Sequence, residues 1–133
     1  MDDLYRQLII DRYKNPLYRG SLDPHDLGYE DDNPLCGDHI RIEMRVNEDG
    51  IVSEAVFDGR GCSISQASAD LLIEYVIGKP VDEVKDISKE VVLDMLGIEL
   101  GPVRLKCALL SLKVLKGSVY GLGEGQAHDD LME

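Results

Sequence analysis

The chain has 133 residues, of which 14 are Lys or Arg and 26 are Asp or Glu, so its formal net charge is −12 at pH 7. This acidity argues against nucleic acid or an anionic membrane as a partner, because both bind basic surfaces. The length suits one domain with a real core, predicted over residues 1–120, and the glycine-rich acidic residues 121–133 are predicted to form a flexible tail. The acidic start lacks the basic region of a secretory signal and no apolar run is long enough to span a bilayer, so we expect a cytoplasmic protein.

The first half of the chain predicts one helix and a small sheet. Apolar residues at helical spacing predict an amphipathic helix over residues 3–14, ended by Asn15-Pro16. Residues 16–38 are rich in Gly, Pro and Asp, and predict a loop with at most a short strand near 27–31. Strict alternation from Ile40 to Val46 predicts a half-buried strand, and a turn at Asn47-Glu48-Asp49-Gly50 leads into a returning strand over 51–58.

The second half reads as helices, so the sheet is expected to have one covered face. The first helix is predicted from Ser63 to Val76 or Ile77, before Gly78-Lys79-Pro80. Two short helices follow, over 81–86 and over 88–96, the latter with Ser88 as its cap and Gly97 as its stop. Pro102 can begin a last helix that runs to about Val119.

Three cysteines lie far apart, each in a distinctive string: Asn33-Pro34-Leu35-Cys36-Gly37-Asp38, Gly59-Arg60-Gly61-Cys62-Ser63-Ile64-Ser65 and Val103-Arg104-Leu105-Lys106-Cys107-Ala108. Their separation excludes a local finger or redox pair, and an odd count argues against a disulfide framework. Each lies beside turn-forming residues or at an element end, where a thiolate can be presented rather than buried. Together with the carboxylate of Asp38, the three thiolates predict a four-ligand metal or cluster site.

The local contexts of the first two cysteines favour ligation. Cys36 lies in a turn, where Gly37 lets the backbone pass close to a bound ion. Cys62 begins a helix, whose partial positive charge favours the thiolate. Gly59 and Gly61 either leave room for a bulky sulfide cluster or mark a β-bulge.

The third cysteine and the residues around it have competing interpretations. Cys107 lies in the first turns of the last helix, near the positive charges of Arg104 and Lys106, but a cysteine among leucines is also typical of an inert core residue. Asp38 alone would suit an Asx turn as well as a metal site. His39 is predicted to lie on the solvent face of its strand and at most to support a ligand.

These three strings, in this order and spacing, resemble the U-type iron–sulfur cluster assembly family, which covers IscU, SufU and the amino-terminal domain of NifU. The resemblance spans roughly residues 1–118. It implies an α+β fold, in which helices pack on one face of a small three-stranded antiparallel sheet, an α/β sandwich. It also implies a transient [2Fe-2S] cluster or zinc held by Cys36, Asp38, Cys62 and Cys107, with Cys36 and Cys107 as candidate sulfur acceptors. The implied partners are a cysteine desulfurase, which supplies sulfur, and iron–sulfur acceptor proteins.

The chain departs from both main subtypes of that family. IscU members commonly carry His before the third cysteine, whereas Lys106 matches SufU. The stretch from Cys62 to Cys107 looks too short for the insertion that SufU members carry. The segment Leu100-Gly101-Pro102-Val103-Arg104 is an altered version of the chaperone-binding segment of IscU, which leaves a chaperone partner open.

Three functions therefore stay open on the sequence. We favour a non-enzymatic scaffold that accepts iron and sulfur, builds a transient [2Fe-2S] cluster and transfers it. The alternatives are a zinc-dependent sulfurtransferase partner of a desulfurase and a zinc-stabilised interaction domain. The oligomeric state is undetermined, and a homo-oligomer is among the states considered.

Overall fold

The computed structural model describes residues 2–33 and 37–120. Its elements, in chain order, are helix α1 (Asp2–Lys14), strands β1 (Leu27–Asn33), β2 (Asp38–Val46) and β3 (Val52–Arg60), and helices α2 (Ser63–Val76), α3 (Val81–Lys85), α4 (Lys89–Leu96) and α5 (Pro102–Val119). The predicted tail over 121–133 lies outside the described residues, so the division into a domain and a tail stays a prediction.

The three strands form one antiparallel sheet in the order β1-β2-β3. Ile42 of the central strand pairs with Tyr29 on one side and Phe57 on the other. The two-residue period places Ile40, Ile42 and Met44 on one face, where all three are fully buried. Helices α2 and α5 pack against this face. The predicted α+β fold, with helices packed on one face of a three-stranded antiparallel sheet, is confirmed.

Strand β1 is longer than its sequence indicates. It continues through Asn33, although Glu-Asp-Asp-Asn is a poor strand sequence and the prediction stopped at Asp31. Pairing with β2 overrides that preference, because Asp32 lies opposite His39 and Asn33 opposite Asp38. The extension carries β1 to the end of the sheet at which Asp38 lies.

The predicted helices are present with small shifts at their ends. Ser88 occupies the N-cap position of α4, but its side chain makes no capping hydrogen bond, so the prediction of Ser88 as a cap is wrong in that respect. Gly97 ends α4 in the left-handed conformation at φ +65°, and Pro102 is the first residue of α5. Within the described ranges, none of the helices is long and apolar enough to cross a membrane.

The other face of the sheet is crossed by the segment that joins α1 to β1. This segment first pairs with β3, where the Phe57 N–H donates to the Tyr18 carbonyl at 3.0 Å and the Gly20 N–H to the Phe57 carbonyl at 2.8 Å. It then reaches β2, where the Leu22 N–H donates to a carboxylate oxygen of Glu43 at 2.9 Å. Glu43 is therefore buried, although the alternation of β2 predicted a solvent-facing position.

Candidate metal centre

Asp38 and Cys62 meet where the first residue of β2 faces the start of α2. Asp38 is fully buried. Cys62 is half-buried and occupies the N-cap position of α2, which agrees with its predicted place at a helix start. The Cys62 N–H donates to Oδ1 of Asp38 at 2.9 Å, and the Cys62 sulfur lies 3.7 Å from Oδ2 of the same carboxylate. A single carboxylate thus orients the backbone of Cys62 and lies beside its sulfur.

Gly61 makes room for that carboxylate. A Cβ atom at Gly61 would lie 2.0 Å from Oδ1 of Asp38, and the residue has φ +143°, which side chains rarely adopt. A Cβ at Gly59 would lie 2.0 Å from the carbonyl oxygen of His39. The space beside both glycines is filled by the protein itself, so the prediction that they leave room for a cluster is wrong. Gly61 instead permits the close approach of Asp38 to the N-terminus of α2.

Cys107 joins the pair from the second turn of α5. One ligand atom each from Asp38, Cys62 and Cys107 can be chosen so that all three lie within 4.8 Å of one another. Cys107 is only 2% exposed. The expectation of a presented thiolate is therefore wrong here, because α5 is exposed from Pro102 to Arg104 but is almost entirely buried from Cys107 onward. The role of these three residues as ligands stays a prediction.

Cys36 lies outside the described residues, but the chain on both sides of it is described. Strand β1 ends at Asn33, which is opposite Asp38 in the sheet and 7% exposed. The Gly37 N–H donates to the Asn33 carbonyl at 2.8 Å, and Gly37 has φ +70°, so it adopts a left-handed turn. The two described residues that flank 34–36, Asn33 and Gly37, therefore both lie beside Asp38.

Three further residues singled out in the sequence are Arg104, Lys106 and His39. Arg104 and Lys106 are exposed, and neither forms an ion pair with the described side chains. The strand period places His39 on the opposite face of β2 from Asp38. Its Nδ1 lies beside Asp32, and its Nε2 is 3.3 Å from Glu30.

Sequence reasoning missed the contact that joins the two thiol-bearing helices. The buried Ser68 hydroxyl of α2 donates to the Ala108 carbonyl of α5 at 2.7 Å and lies 2.9 Å from the Ser111 hydroxyl. The available signal was a serine three residues after the end of the Cys62 string, at a position of the α2 pattern that carries small and apolar residues. Only the packing of α2 on α5 identifies its partner.

Two thiols and a carboxylate are a donor set that divalent zinc accepts, and thiolates also bind iron–sulfide cores. The donors come from three elements, the start of β2, the N-cap of α2 and the second turn of α5. The fold rather than a local motif therefore assembles them. Such a site can hold one ion, or offer a partial ligand set to a cluster.

Comparison with protein-family models gives a match over most of the chain. The family model described as the NifU-like N-terminal domain matches residues 4–127. The chain belongs to this family. The resemblance that the cysteine strings indicated is thus confirmed.

Curated relatives and solved structures of the NifU-like N-terminal family carry two kinds of name. The chain is 39% identical to the zinc-dependent sulfurtransferase SufU of Bacillus subtilis, with 90% of this chain and 91% of the relative covered. It is 36% identical to the iron–sulfur cluster assembly scaffold protein IscU of Thermotoga maritima, with 85% of this chain and 90% of the relative covered. A crystal structure titled as an iron–sulfur cluster assembly scaffold protein for the SUF system, from Fervidobacterium islandicum, superposes with a TM-score of 0.75 at 25% identity, covering 85% of this chain and 94% of that one.

Proposed function

We propose that this protein is an iron–sulfur cluster assembly scaffold. It accepts sulfur and iron, builds a transient [2Fe-2S] cluster and passes it to acceptor proteins, and it acts as a binding protein rather than an enzyme. The observation that carries this proposal is the convergence of Asp38, Cys62 and Cys107 within 4.8 Å, in a chain whose relatives include named cluster scaffolds. Cys36 is proposed as the fourth donor, because the chain enters and leaves its segment beside Asp38.

The mixed donor set suits a cluster that has to be released. A carboxylate is a harder ligand than a thiolate and matches an iron–sulfide core less well. Asp38 also accepts the Cys62 N–H, so its oxygens are shared between the protein and the bound group. We therefore expect the bond from Asp38 to be the weakest of the four bonds between the protein and the cluster.

Sulfur enters as a persulfide from a cysteine desulfurase. A scaffold thiolate attacks the terminal sulfur of the desulfurase persulfide, the sulfur–sulfur bond breaks, and the desulfurase cysteine leaves as its thiolate. Cys36 and Cys107 are the candidate acceptors. The burial of Cys107 favours Cys36 as the first sulfur acceptor, because the attacking thiolate has to reach a second protein.

Cluster formation also requires electrons. Reducing two persulfide-level sulfur atoms to sulfide takes four electrons, and the oxidation of two ferrous ions to ferric ions supplies two of them. A reductant such as a dithiol supplies the other two and takes no place in the cluster. An assembly assay therefore has to contain iron, cysteine, desulfurase and dithiol together.

A zinc-dependent sulfurtransferase is the second candidate, favoured by Lys106 and by the name of the Bacillus subtilis relative. Zinc bound by the same donors would hold the coordinated thiols in the deprotonated form. The alignment with that relative spans 137 positions although it includes only 90% of this chain, so SufU carries residues without a counterpart here. The alignment with Thermotoga IscU also has such positions, so the shorter chain by itself does not separate the two functions.

The proposed partners follow from the same chemistry. A desulfurase donates sulfur, and apo-acceptor proteins in the cytoplasm receive the cluster. The first two turns of α5 present Val103, Arg104 and Lys106 at the surface, next to Cys107, as a contact for one of these proteins. Binding studies can test two further proposals. One is a chaperone that binds the altered segment 100–104, and the other is a homo-oligomer of this chain.

Anaerobic assembly tests the scaffold against the sulfurtransferase. The protein is incubated with ferrous iron, cysteine, a desulfurase and dithiol, then assayed for its visible spectrum, bound iron, sulfide and zinc, and for transfer to an apo-ferredoxin. A scaffold gains a cluster and activates the ferredoxin, whereas Cys62→Ser does neither. Retained zinc with persulfide on the protein and no iron would instead establish the sulfurtransferase. Binding of neither zinc nor cluster would refute both functions.

A further inference from the structure

Helices α2 and α5 each bring one thiol to the proposed metal site, and one buried hydroxyl joins them near that end. Ser68 is 1% exposed, and its hydroxyl donates to the Ala108 carbonyl at 2.7 Å. The Ser111 hydroxyl, also buried, lies 2.9 Å from the same Ser68 oxygen. Because Ser68 uses its proton toward Ala108, Ser111 is the donor of this second bond.

The Ala108 carbonyl connects Ser68 to the position of Cys107. Ala108 directly follows Cys107, so the hydrogen bond from Ser68 holds the peptide unit next to the buried thiol. On the other helix, Ser68 lies six residues after Cys62, a rise of about 9 Å along α2. A hydrogen bond in the low-dielectric interior is stronger than one in water, so this bond constrains how α5 is placed along α2.

The placement of α5 along α2 matters because the distances between the ligand atoms of a metal site can vary only little. Bonds from zinc to sulfur are about 2.3 Å long, so two thiolates on one ion sit roughly 3.8 Å apart in a tetrahedral site. Residues that orient the ligands of a metal site can change metal affinity strongly without touching the metal.

We propose that Ser68, supported by Ser111, is a positioning residue that sets the spacing between the Cys62 and Cys107 sulfurs. It acts through the Ala108 carbonyl and does not bind the metal. The inference rests on the proposed metal site. It assigns to Ser68, six residues after Cys62, a role other than core packing.

Ser118 provides a matched control on the same helix. Ser118 is 2% exposed and its hydroxyl donates to the Leu115 carbonyl at 2.6 Å, so Ser118→Ala also removes one buried hydroxyl bonded to a carbonyl. Unlike Ser68, it bonds within α5 and lies 11 residues beyond Cys107, about 16 Å along the helix. The two variants should lose comparable stability in urea but differ at the metal.

The test is cobalt binding to the full-length protein carrying Ser68→Ala or Ser118→Ala. Affinity is measured by competition with a chelator, and the thiolate-to-cobalt charge-transfer band reports on sulfur ligation. We expect Ser118→Ala to bind like the parent, and Ser68→Ala to bind about tenfold more weakly or worse, with a changed band. Ser111→Ala should show a smaller loss in the same direction, and it serves alone if Ser68→Ala does not fold.

Each remaining outcome counts against a specific statement. If Ser68→Ala and Ser111→Ala bind cobalt as tightly as Ser118→Ala, the positioning role is overturned and the metal site stands. If the parent protein binds no cobalt, the proposed site itself is overturned together with this inference.

Discussion

The backbone N–H of Cys62 donates to the side chain of Asp38, 24 residues earlier in the chain, at 2.9 Å. The same carboxylate lies 3.7 Å from the sulfur of Cys62. This contact locks the start of α2 to the start of β2 and makes Asp38 both a structural acceptor and a proposed ligand. The first two predictions separate these two roles.

Asp38→Ala should slow cluster release rather than abolish cluster binding. The change removes the hard ligand and leaves the thiolates, which match an iron–sulfide core better. The measurement is the decay of the visible absorption in air and the rate of transfer to an apo-ferredoxin. Asp38→Asn is the control, because it keeps an acceptor for the Cys62 N–H without the charge. An Asp38→Ala protein that binds no cluster while Asp38→Asn binds one would show that the structural role dominates.

Gly61→Ala should weaken metal binding by displacing Asp38. The added Cβ would lie 2.0 Å from Oδ1, and overpacking of this kind costs about 1–3 kcal/mol of stability. Cobalt affinity and urea unfolding measure the two effects. Gly20→Ala is the control, since a Cβ there meets nothing within 4 Å.

The double variant Gly61→Ala with Asp38→Ala makes this prediction sharper. With the carboxylate gone, most of the clash is gone, so the stability loss from Gly61→Ala should be much smaller in that background. If the two losses simply add, the strain arises from the backbone of Gly61 at φ +143° and not from the contact with Asp38.

Lys106→Ala should slow sulfur acceptance while leaving metal affinity nearly unchanged. An ammonium group has no lone pair for a metal, and the side chain of Lys106 is exposed beside Cys107, where its charge attracts an electron-rich persulfide. Persulfide transfer from a desulfurase and zinc competition measure the two properties. Lys89→Ala, which removes an exposed lysine from α4, should change neither. Equal transfer rates in the two variants would leave Lys106 without a role in the chemistry.

Glu43→Gln should lower stability at neutral pH, and the loss should shrink in acid. Burial acts to raise the pKa of Glu43, but the Leu22 N–H and the Arg41 guanidinium outweigh it and lower the pKa below 4.5. A lowered carboxyl pKa stabilises the fold above the unfolded-state value, and this contribution is lost as the pH falls through the folded-state pKa. Urea unfolding of both proteins at pH 7 and at successively lower pH gives the difference.

The matched control for Glu43 is Glu54→Gln. Glu54 pairs with Arg45 at 3.0 Å, but its side chain is 53% exposed, and exposed pairs contribute little. Its substitution should change stability little at any pH. A pH-independent effect of Glu43→Gln would mean that the loss of one acceptor oxygen, rather than the loss of the charge, weakens the contact with the loop that contains Leu22.

Local patterns determined much of this protein before any fold was known. The alternation from Ile40 to Val46 and the helical spacing after Ser63 depend on each residue's immediate neighbours, so the strand and helix appear at the predicted places. Gly97 likewise ends a helix and Pro102 begins one through effects that act within one turn of the chain. The three cysteine strings were enough to indicate the family.

Tertiary packing decided what those patterns could not express. The end of β1 at Asn33 depends on its pairing with Asp38 of the next strand. The burial of Glu43 depends on a segment that includes Leu22, 21 residues earlier, and the burial of Cys107 depends on the packing of a whole helix. A sequence pattern carries no information about which side of a helix meets another element once nearly every position is apolar or small, as in α5 from Cys107 onward.

The sequence by itself determined which candidate donors this protein offers, namely three thiols and a carboxylate in a recognisable order. Only the tertiary structure decided that Asp38, Cys62 and Cys107 lie within 4.8 Å, that Gly61 yields its space to Asp38, and that Ser68 joins the two thiol-bearing helices. The physical reason is that donor chemistry belongs to single residues, whereas distances between donors result from the packing of β2, α2 and α5 against one another.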